Sequence, residues 1–253
     1  MTTVFPPGAP CWADIHVPRT DTAAAFYAAV LDWEITSPRP EFGGYATANA
    51  NGAVVAGIGP MMGASITAWT LYFASDDAEV TREAVLDAGG DILMPVHAVG
   101  DLGRLLLARD PTGAAFGVWH GQSMAGFDAP GTTGSFAWCD LRSVDPDAAR
   151  RFYASVFGFA YQAVPMAGPD YATFATEGGS TPLGGIGPMM GSPEGTSSHW
   201  LLYFAVASAD VAHDRAIACG GGVLAAPFDT PFGRMAPLTD PFGAPFWAVQ
   251  LPG

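Results

Sequence analysis

WADIHVPRTDTAAAFYAAVLDW, Trp12 to Trp33, decides the fold because the chain writes it twice: WCDLRSVDPDAARRFYASVFGF runs from Trp138 to Phe159. Each copy opens with alternation. Trp12, Asp14 and His16 point to one side of an extended segment, and Ala13, Ile15 and Val17 to the other. A helix follows, starting near Asp21 in the first copy and at Asp145 in the second, where Pro146 takes the first helical position. Phe26, Tyr27, Val30 and Leu31 then recur at helical spacing, as do Phe152, Tyr153, Val156 and Phe157.

The repeat extends outward in constant order. GIGPMMG stands at Gly57–Gly63 and again at Gly185–Gly191, WTLYFA at Trp69 answers WLLYFA at Trp200, and DAGG at Asp87 answers ACGG at Ala218. GRLLLARDPTGAAFGVW from Gly103 answers GRMAPLTDPFGAPFWAV from Gly233. The chain is therefore a tandem duplication of one α+β unit. Within the first copy the pattern predicts strands at 45–48, 54–58, 69–74, 104–109 and 115–119, with a helix over 78–88 stopped by Gly89 and Gly90. Asp110-Pro111-Thr112-Gly113 and Asp240-Pro241-Phe242-Gly243 read as hairpin turns. The expected domains are 8–121 and 135–251, joined by an aperiodic linker at 122–134.

Composition narrows the function classes. All ten basic residues are Arg, and the formal net charge is -14. Such a surface repels nucleic acid and anionic membranes, so neither is an expected partner. Without Lys there is no Schiff base and no Walker-type phosphate loop. Cys11, Cys139 and Cys219 show no metal or disulfide spacing and read as small apolar residues. With no leader pattern at Met1 and no long apolar run, the expected location is cytoplasmic. No GxGxxG or GxSxG signature marks a dinucleotide site or a nucleophile elbow.

The strand followed by a Phe-Tyr helix, the Gly-Gly stop and the closing DPxG hairpin, each present twice, resemble the vicinal oxygen chelate superfamily, the glyoxalase/bleomycin-resistance/extradiol-dioxygenase fold. The resemblance covers nearly all of both copies. It implies a glyoxalase-like domain per copy, built of two βαβββ modules that curl into a cup-shaped sheet. It also implies, for metal-dependent members, ligands from the first strand, from the strand opening the second module and from a position after the DPxG turn. This sequence departs at each place: Trp12 and Trp138, Trp69 and Trp200, and Gly117 and Trp247 stand there. Indole nitrogen only donates, so neither a metal nor any other cofactor is expected. A register shifted by one residue would bring His199 into such a position, alone.

The candidate site residues follow from face and repetition. Asp14, His16 and Asp140 are the candidate catalytic set, a pocket carboxylate in each copy with a proton carrier beside the first; the alternative is that both carboxylates bond backbone or a neighbouring arginine. Trp12, Trp69, Trp138, Trp200 and Trp247 either stack on a planar ligand or fill the core. Met61, Met62, Met189 and Met190, in the repeated glycine-methionine segment, either grip an apolar ligand or pack a turn. Tyr45 and Tyr171 are candidate hydrogen-bond donors, and Arg104 a candidate anion clamp unless it pairs with Asp14 or Asp140. Together they suggest a metal-independent protein of bleomycin-resistance type that sequesters a bulky aromatic molecule. The alternative, implied by the likeness of this tandem, Trp-rich form with its GIGPMM segments to actinobacterial proteins found with aromatic polyketide pathways, is a cofactor-independent biosynthetic enzyme; a metal-dependent lyase or dioxygenase ranks behind both. The partner is an apolar or aromatic small molecule, and the chain is either a monomeric pseudo-dimer or a homodimer. His16 against Arg142, and Gly117 against Trp247, make the two copies unlike, with one working pocket.

Overall fold

The computed structural model describes residues 5–61, 67–192 and 195–252. The first copy contains β1 (Pro10–Val17), α1 (Thr20–Leu31), β2 (Glu34–Ile35), β3 (Ala46–Ala50), β4 (Ala53–Pro60), β5 (Trp69–Ala74), α2 (Ala78–Asp87), β6 (Asp91–Val99), β7 (Gly103–Arg109) and β8 (Ala115–Gly121). The second contains β9 (Phe136–Ser143), α3 (Pro146–Phe157), β10 (Ala160–Ala163), β11 (Ala172–Ala175), β12 (Gly184–Pro188), β13 (His199–Ala205), α4 (Ala209–Ala218), β14 (Gly222–Val223), β15 (Phe228–Thr230), β16 (Gly233–Thr239) and β17 (Pro245–Gln250). The strands form two mixed sheets, of order β2-β3-β4-β1-β5-β8-β7-β6 and β10-β11-β12-β9-β13-β17-β16-β14, with β15 on β16. This is the α+β tandem fold that the repeat predicts.

Each module has a parallel inner pair, because a helix returns the chain alongside its first strand. Asp14 thus lies opposite Gly57 and His16 opposite Gly59 across β1 and β4, and Asp140 opposite Gly185 across β9 and β12. The antiparallel partners follow through short turns. In the hairpins joining β7 to β8 and β16 to β17, one carboxylate oxygen of Asp110 accepts from the amides of Thr112 and Ala114, and one of Asp240 from those of Phe242 and Ala244. Gly113 and Gly243 complete these turns at φ 104 and 87, where a side chain would be strained.

The chain packs as two compact units, each assembled from both copies. Unit one comprises Met1–Trp12, Thr70–Gly126 and Cys139–Trp200; unit two comprises Ala13–Trp69, Phe127–Trp138 and Leu201–Gly253. Unit one therefore holds α2 and α3, and unit two α1 and α4.

The core of unit two is aromatic. Tyr27 of α1 stacks on Trp33 at 5.5 Å and meets Trp69 at 5.3 Å and Phe246 at 5.5 Å. In unit one Tyr153 of α3 meets Trp200 at 5.3 Å and Phe116 at 5.5 Å. A buried phenol or indole needs a partner for its polar end. Trp69 Nε1 donates to Tyr27 Oη at 3.1 Å, and Tyr27 donates to the free carboxylate oxygen of Asp240 at 3.2 Å. Trp200 Nε1 donates to Tyr153 Oη at 2.9 Å, and the Asp110 carboxylate stands near that phenol. In unit two the Trp, Phe-Tyr and DPxG elements are thus one hydrogen-bonded ladder whose carboxylate comes from the other copy, and unit one brings the same three elements together. Burial, reinforced by the neighbouring carboxylate, drives both phenols well above their ordinary pKa.

Three local expectations differ. α1 begins at Thr20 after Arg19, and Asp21 lies inside its first turn rather than at its cap. The stretch after the helix stop, Asp91–Val99, forms an edge strand that periodicity missed, since Pro95 and two register shifts break its alternation. The linker is aperiodic, yet its 127–134 part is fastened within unit two: Trp33 Nε1 and the amide of Val54 donate to Gly134 O and Asp128 Oδ2, and Phe127 stacks on Phe136 at 5.0 Å.

Candidate functional site

Strand alternation sorts the candidates by face. Ala13, Ile15 and Val17 have no solvent exposure, so the opposite side of β1 presents Trp12, Asp14 and His16. In unit two Asp14 is buried beneath Tyr45, whose hydroxyl donates to Asp14 Oδ2 at 3.0 Å. His16 Nδ1 lies 3.8 Å from Asp14 Oδ1, and its side chain is 44% exposed. The three groups form a carboxylate, phenol and imidazole set with the carboxylate at the bottom and the imidazole toward solvent.

The glycines of the repeated segment explain the phenol's position. Gly57 and Gly59 lie in β4, and Tyr45 crosses them: a Cβ at Gly57 would fall 1.7 Å from the Tyr45 hydroxyl, and one at Gly59 2.8 Å from the His16 ring. Gly-Ile-Gly is therefore a flat bed for a tyrosine. Met61 continues from the strand, its amide bonded to Val17 O at 2.9 Å; Met62 lies outside the described residues.

Unit one repeats the pair with a different third member. Tyr171 donates to Asp140 Oδ1 at 2.6 Å, and a Cβ at Gly185 would fall 1.9 Å from its hydroxyl. Arg142, two residues along β9, binds Asp140 Oδ2 at 3.0 Å with both side chains below 10% exposure. Asp140 thus pairs with a neighbouring arginine, whereas Asp14 faces a half-exposed histidine. Met189 and Met190 follow β12, and Met190, 40% exposed, lies over Gly168.

The tryptophans divide. Trp69 and Trp200 are 6% and 5% exposed and belong to the core ladders, sharing the helix-packed side of their strands with Leu71, Phe73, Leu202 and Phe204. Of the two readings open for them, stacking on a ligand or filling the core, they take the second. Trp138 and Trp247 lie on the opposite side, partly buried against Leu201, Tyr203 and Val249 in unit two. Trp247 meets Tyr203 at 5.1 Å and Phe228 at 5.8 Å. Sequence reading missed Tyr203, which nothing in the apolar run WLLYFA sets apart. Trp12 is 4% exposed.

Arg104 is exposed at the start of β7, opposite His120, and belongs to neither carboxylate site. Its counterpart Arg234 is held by Asp210 and Asp229 at 2.7 and 3.1 Å. In unit one a shallow cavity of about 440 Å³ opens beside Tyr171, Tyr161 and Arg150. Its guanidinium is bound to Asp147 and Asp170 at 2.7 and 2.6 Å, so it does not offer a charged clamp.

The donor set does not fit a divalent cation. Indoles occupy the first-strand positions of both copies. Among the described residues no three His, Cys, Asp or Glu side chains converge. Nor is any helix among them long and apolar enough to cross a membrane.

Residues 135–248 match the model of the Glyoxalase/Bleomycin resistance protein/Dioxygenase superfamily. The chain is 36% identical to the anthracycline biosynthesis protein DnrV of Streptomyces peucetius, over 98% of this chain and 95% of the relative. It is likewise 36% identical to the putative glyoxylase CFP32 of Mycobacterium tuberculosis, over 96% and 95%. Among solved structures, the Mn(II)-bound glyoxalase from Novosphingobium aromaticivorans superposes with a TM-score of 0.66 at 18% identity, covering 97% of this chain and 84% of that one. The 2,3-dioxygenase LapB from Pseudomonas sp. KL28 superposes at 0.64 and 15% identity, covering 96% and 93%. At these identities the solved structures speak for the fold.

Proposed function

Since the chain belongs to the glyoxalase/bleomycin resistance protein/dioxygenase superfamily, we propose that it binds a planar, hydroxylated polycyclic molecule of aromatic polyketide type and moves a proton on it without a metal. The observation that carries this reading is the set of Asp14, Tyr45 and His16. Sequestration needs apolar surface and a few fixed polar anchors. A buried carboxylate under a phenol, with a solvent-facing imidazole alongside, is the equipment of proton transfer. Tyr45 presents its oxygen to the ligand. Asp14 accepts the phenol's proton as Tyr45 takes one from an acidic hydroxyl or enolisable carbon, and His16 links the pair to solvent. The tryptophans away from the helices supply flat apolar faces for a fused-ring ligand.

The relatives support the ligand class: two that match almost end to end are named anthracycline biosynthesis proteins. The test uses the full-length protein and polyhydroxylated anthraquinones or anthracyclinones. Tryptophan quenching reports binding, and mass spectrometry with solvent-deuterium incorporation reports turnover. The expected result is binding with deuterium uptake that Asp14→Asn abolishes while binding persists. A ligand held tightly but recovered unlabelled and unchanged would leave only the sequestration reading.

A further inference from the structure

Trp247 differs from the tryptophans that complete their hydrogen bonds inside the protein. The indole N–H groups of Trp33, Trp69, Trp119 and Trp200 donate to Gly134 O, Tyr27 Oη, Met124 O and Tyr153 Oη. Trp247 touches the rings of Tyr203 and Phe228, and its Nε1 meets no acceptor among the described residues. That nitrogen is not one of the buried atoms left without a partner, so it reaches solvent from a partly buried ring. An indole with an apolar body in contact and its donor open suits a ligand that brings an acceptor oxygen.

Strand parity sets where the donor stands. Phe246 and Ala248 have no exposure and face the helices, so Trp247 lies on the other side of β17. Tyr203 is its partner across β13 and β17, and Trp138 and Met235 pack on the same cluster. Tyr203, tilted 59° to the indole at 5.1 Å, and Phe228, at 88° and 5.8 Å, hold the ring in one orientation. Asp14 and Tyr45 belong to the same unit, and Asp14 lies on the side of β1 opposite the buried Ala13 and Ile15. Unit two therefore carries a carboxylate and phenol pair from the first copy and an indole donor from the second, both away from the helices.

The first copy has no such donor. Gly117 takes the matching position in β8, paired with Tyr72, and a Cβ there would fall 2.1 Å from the Tyr72 ring. In unit one a tyrosine thus lies across the strand where unit two has an indole.

We infer that Trp247 selects a carbonyl-bearing ligand in unit two: its Nε1–H donates to a ring carbonyl oxygen of a planar, quinone-type molecule lying on the face that Trp138, Tyr203 and Met235 share. This rests on the proposed function, because it names a second polar anchor for that function's ligand. Trp247 is a binding residue that sets specificity, and no bond of the ligand is made or broken at it.

The test uses the full-length protein and a matched pair of probes. 2,6-Dihydroxyanthraquinone and 2,6-dihydroxyanthracene share their hydroxyls and fused rings and differ in the ring carbonyls. Calorimetry gives both affinities, and heteronuclear NMR of the labelled indoles follows each N–H. The Trp247 resonance is the one missing from Trp247→Phe. It is expected to move downfield with the quinone, as hydrogen bonding deshields a proton, and not with the anthracene. Trp247→Phe is expected to cut the preference for the quinone about fivefold, the worth of one neutral hydrogen bond. Trp247→Gly, which copies the first copy's residue, supplies the same assignment and the same loss if circular dichroism shows the phenylalanine variant unfolded. Quinone binding that leaves the Trp247 resonance in place, or an equal loss for both probes, would overturn the inference and leave the proposed ligand class standing. If neither probe binds the wild type, the ligand class fails and the inference falls with it.

Discussion

Gly57 illustrates how a residue without a side chain can specify one. The Tyr45 hydroxyl occupies the place where its Cβ would stand. Gly57→Ala is expected to displace Tyr45 from Asp14, at a cost of about 1–3 kcal/mol for overpacking a filled site. Thermal unfolding measures that cost, and anthraquinone quenching should show weaker binding than in the wild-type chain. Tyr27 carries a different burden. Tyr27→Phe strands the Trp69 indole nitrogen and an Asp240 oxygen in the core. A loss of about 1–3 kcal/mol in urea unfolding is the expected price of two buried unsatisfied groups. Asp240 adds a pH dependence. Burial, opposed by hydrogen bonds from Ala244, Phe242 and Tyr27, raises its carboxyl above the ordinary 3.8. The folded chain then holds the proton more tightly than the unfolded one, so this contribution to stability is complete below pH 3.8 and is lost as pH rises through the folded value. Asp240→Asn is expected to flatten that part of the stability profile, measured by urea unfolding from about pH 3 to about pH 8.

At the scale of elements, the two Phe-Tyr helices test how much capping matters. α3 has Asp145 at its cap, accepting from the Ala148 amide at 2.9 Å, and Pro146 at its first position. α1 starts after Arg19, which makes no side-chain cap bond. Asp145→Ala should cost about 1 kcal/mol, whereas Arg19→Ser should gain somewhat less, both read from chemical denaturation. The same helices mark what was legible in sequence. Both are plain from their apolar stripes, and β1 and β9 from strict alternation. The sides of Trp69 and Trp200 were not legible, because WTLYFA and WLLYFA are apolar on both faces and offer no parity to read. Asp14, Asp140, Tyr45 and Tyr171 were visible as repeated polar residues at fixed spacing. That each tyrosine lies across a glycine was not, since the contact joins positions in different strands.

At the scale of the whole molecule, repetition in sequence and compactness in space follow different divisions. Unit two takes Ala13–Trp69 from the first copy and Leu201–Gly253 from the second. A chain ending at the linker should therefore lack the carboxylate for Tyr27 and the rings of Phe204 and Phe246 against its aromatic core. Either copy expressed alone is expected to show no cooperative monomeric unfolding transition. Co-expression of 1–126 with 127–253 is expected to restore a soluble one-to-one complex with the full-length near-ultraviolet circular dichroism spectrum.

The ladder from Trp through Tyr to the other copy's Asp also governs how the two halves can evolve. A change at Tyr27 is answered at Asp240, and Tyr153 answers to Asp110. Core substitutions in one half are therefore selected against the other half, as between subunits that never separate. His16 and Arg142 each reach a carboxylate two residues away on their own strand. Inheritance thus ties the halves together at the ladder and leaves them free to differ at the third residue of each site, where the gene can hold two alleles of one position in a single chain.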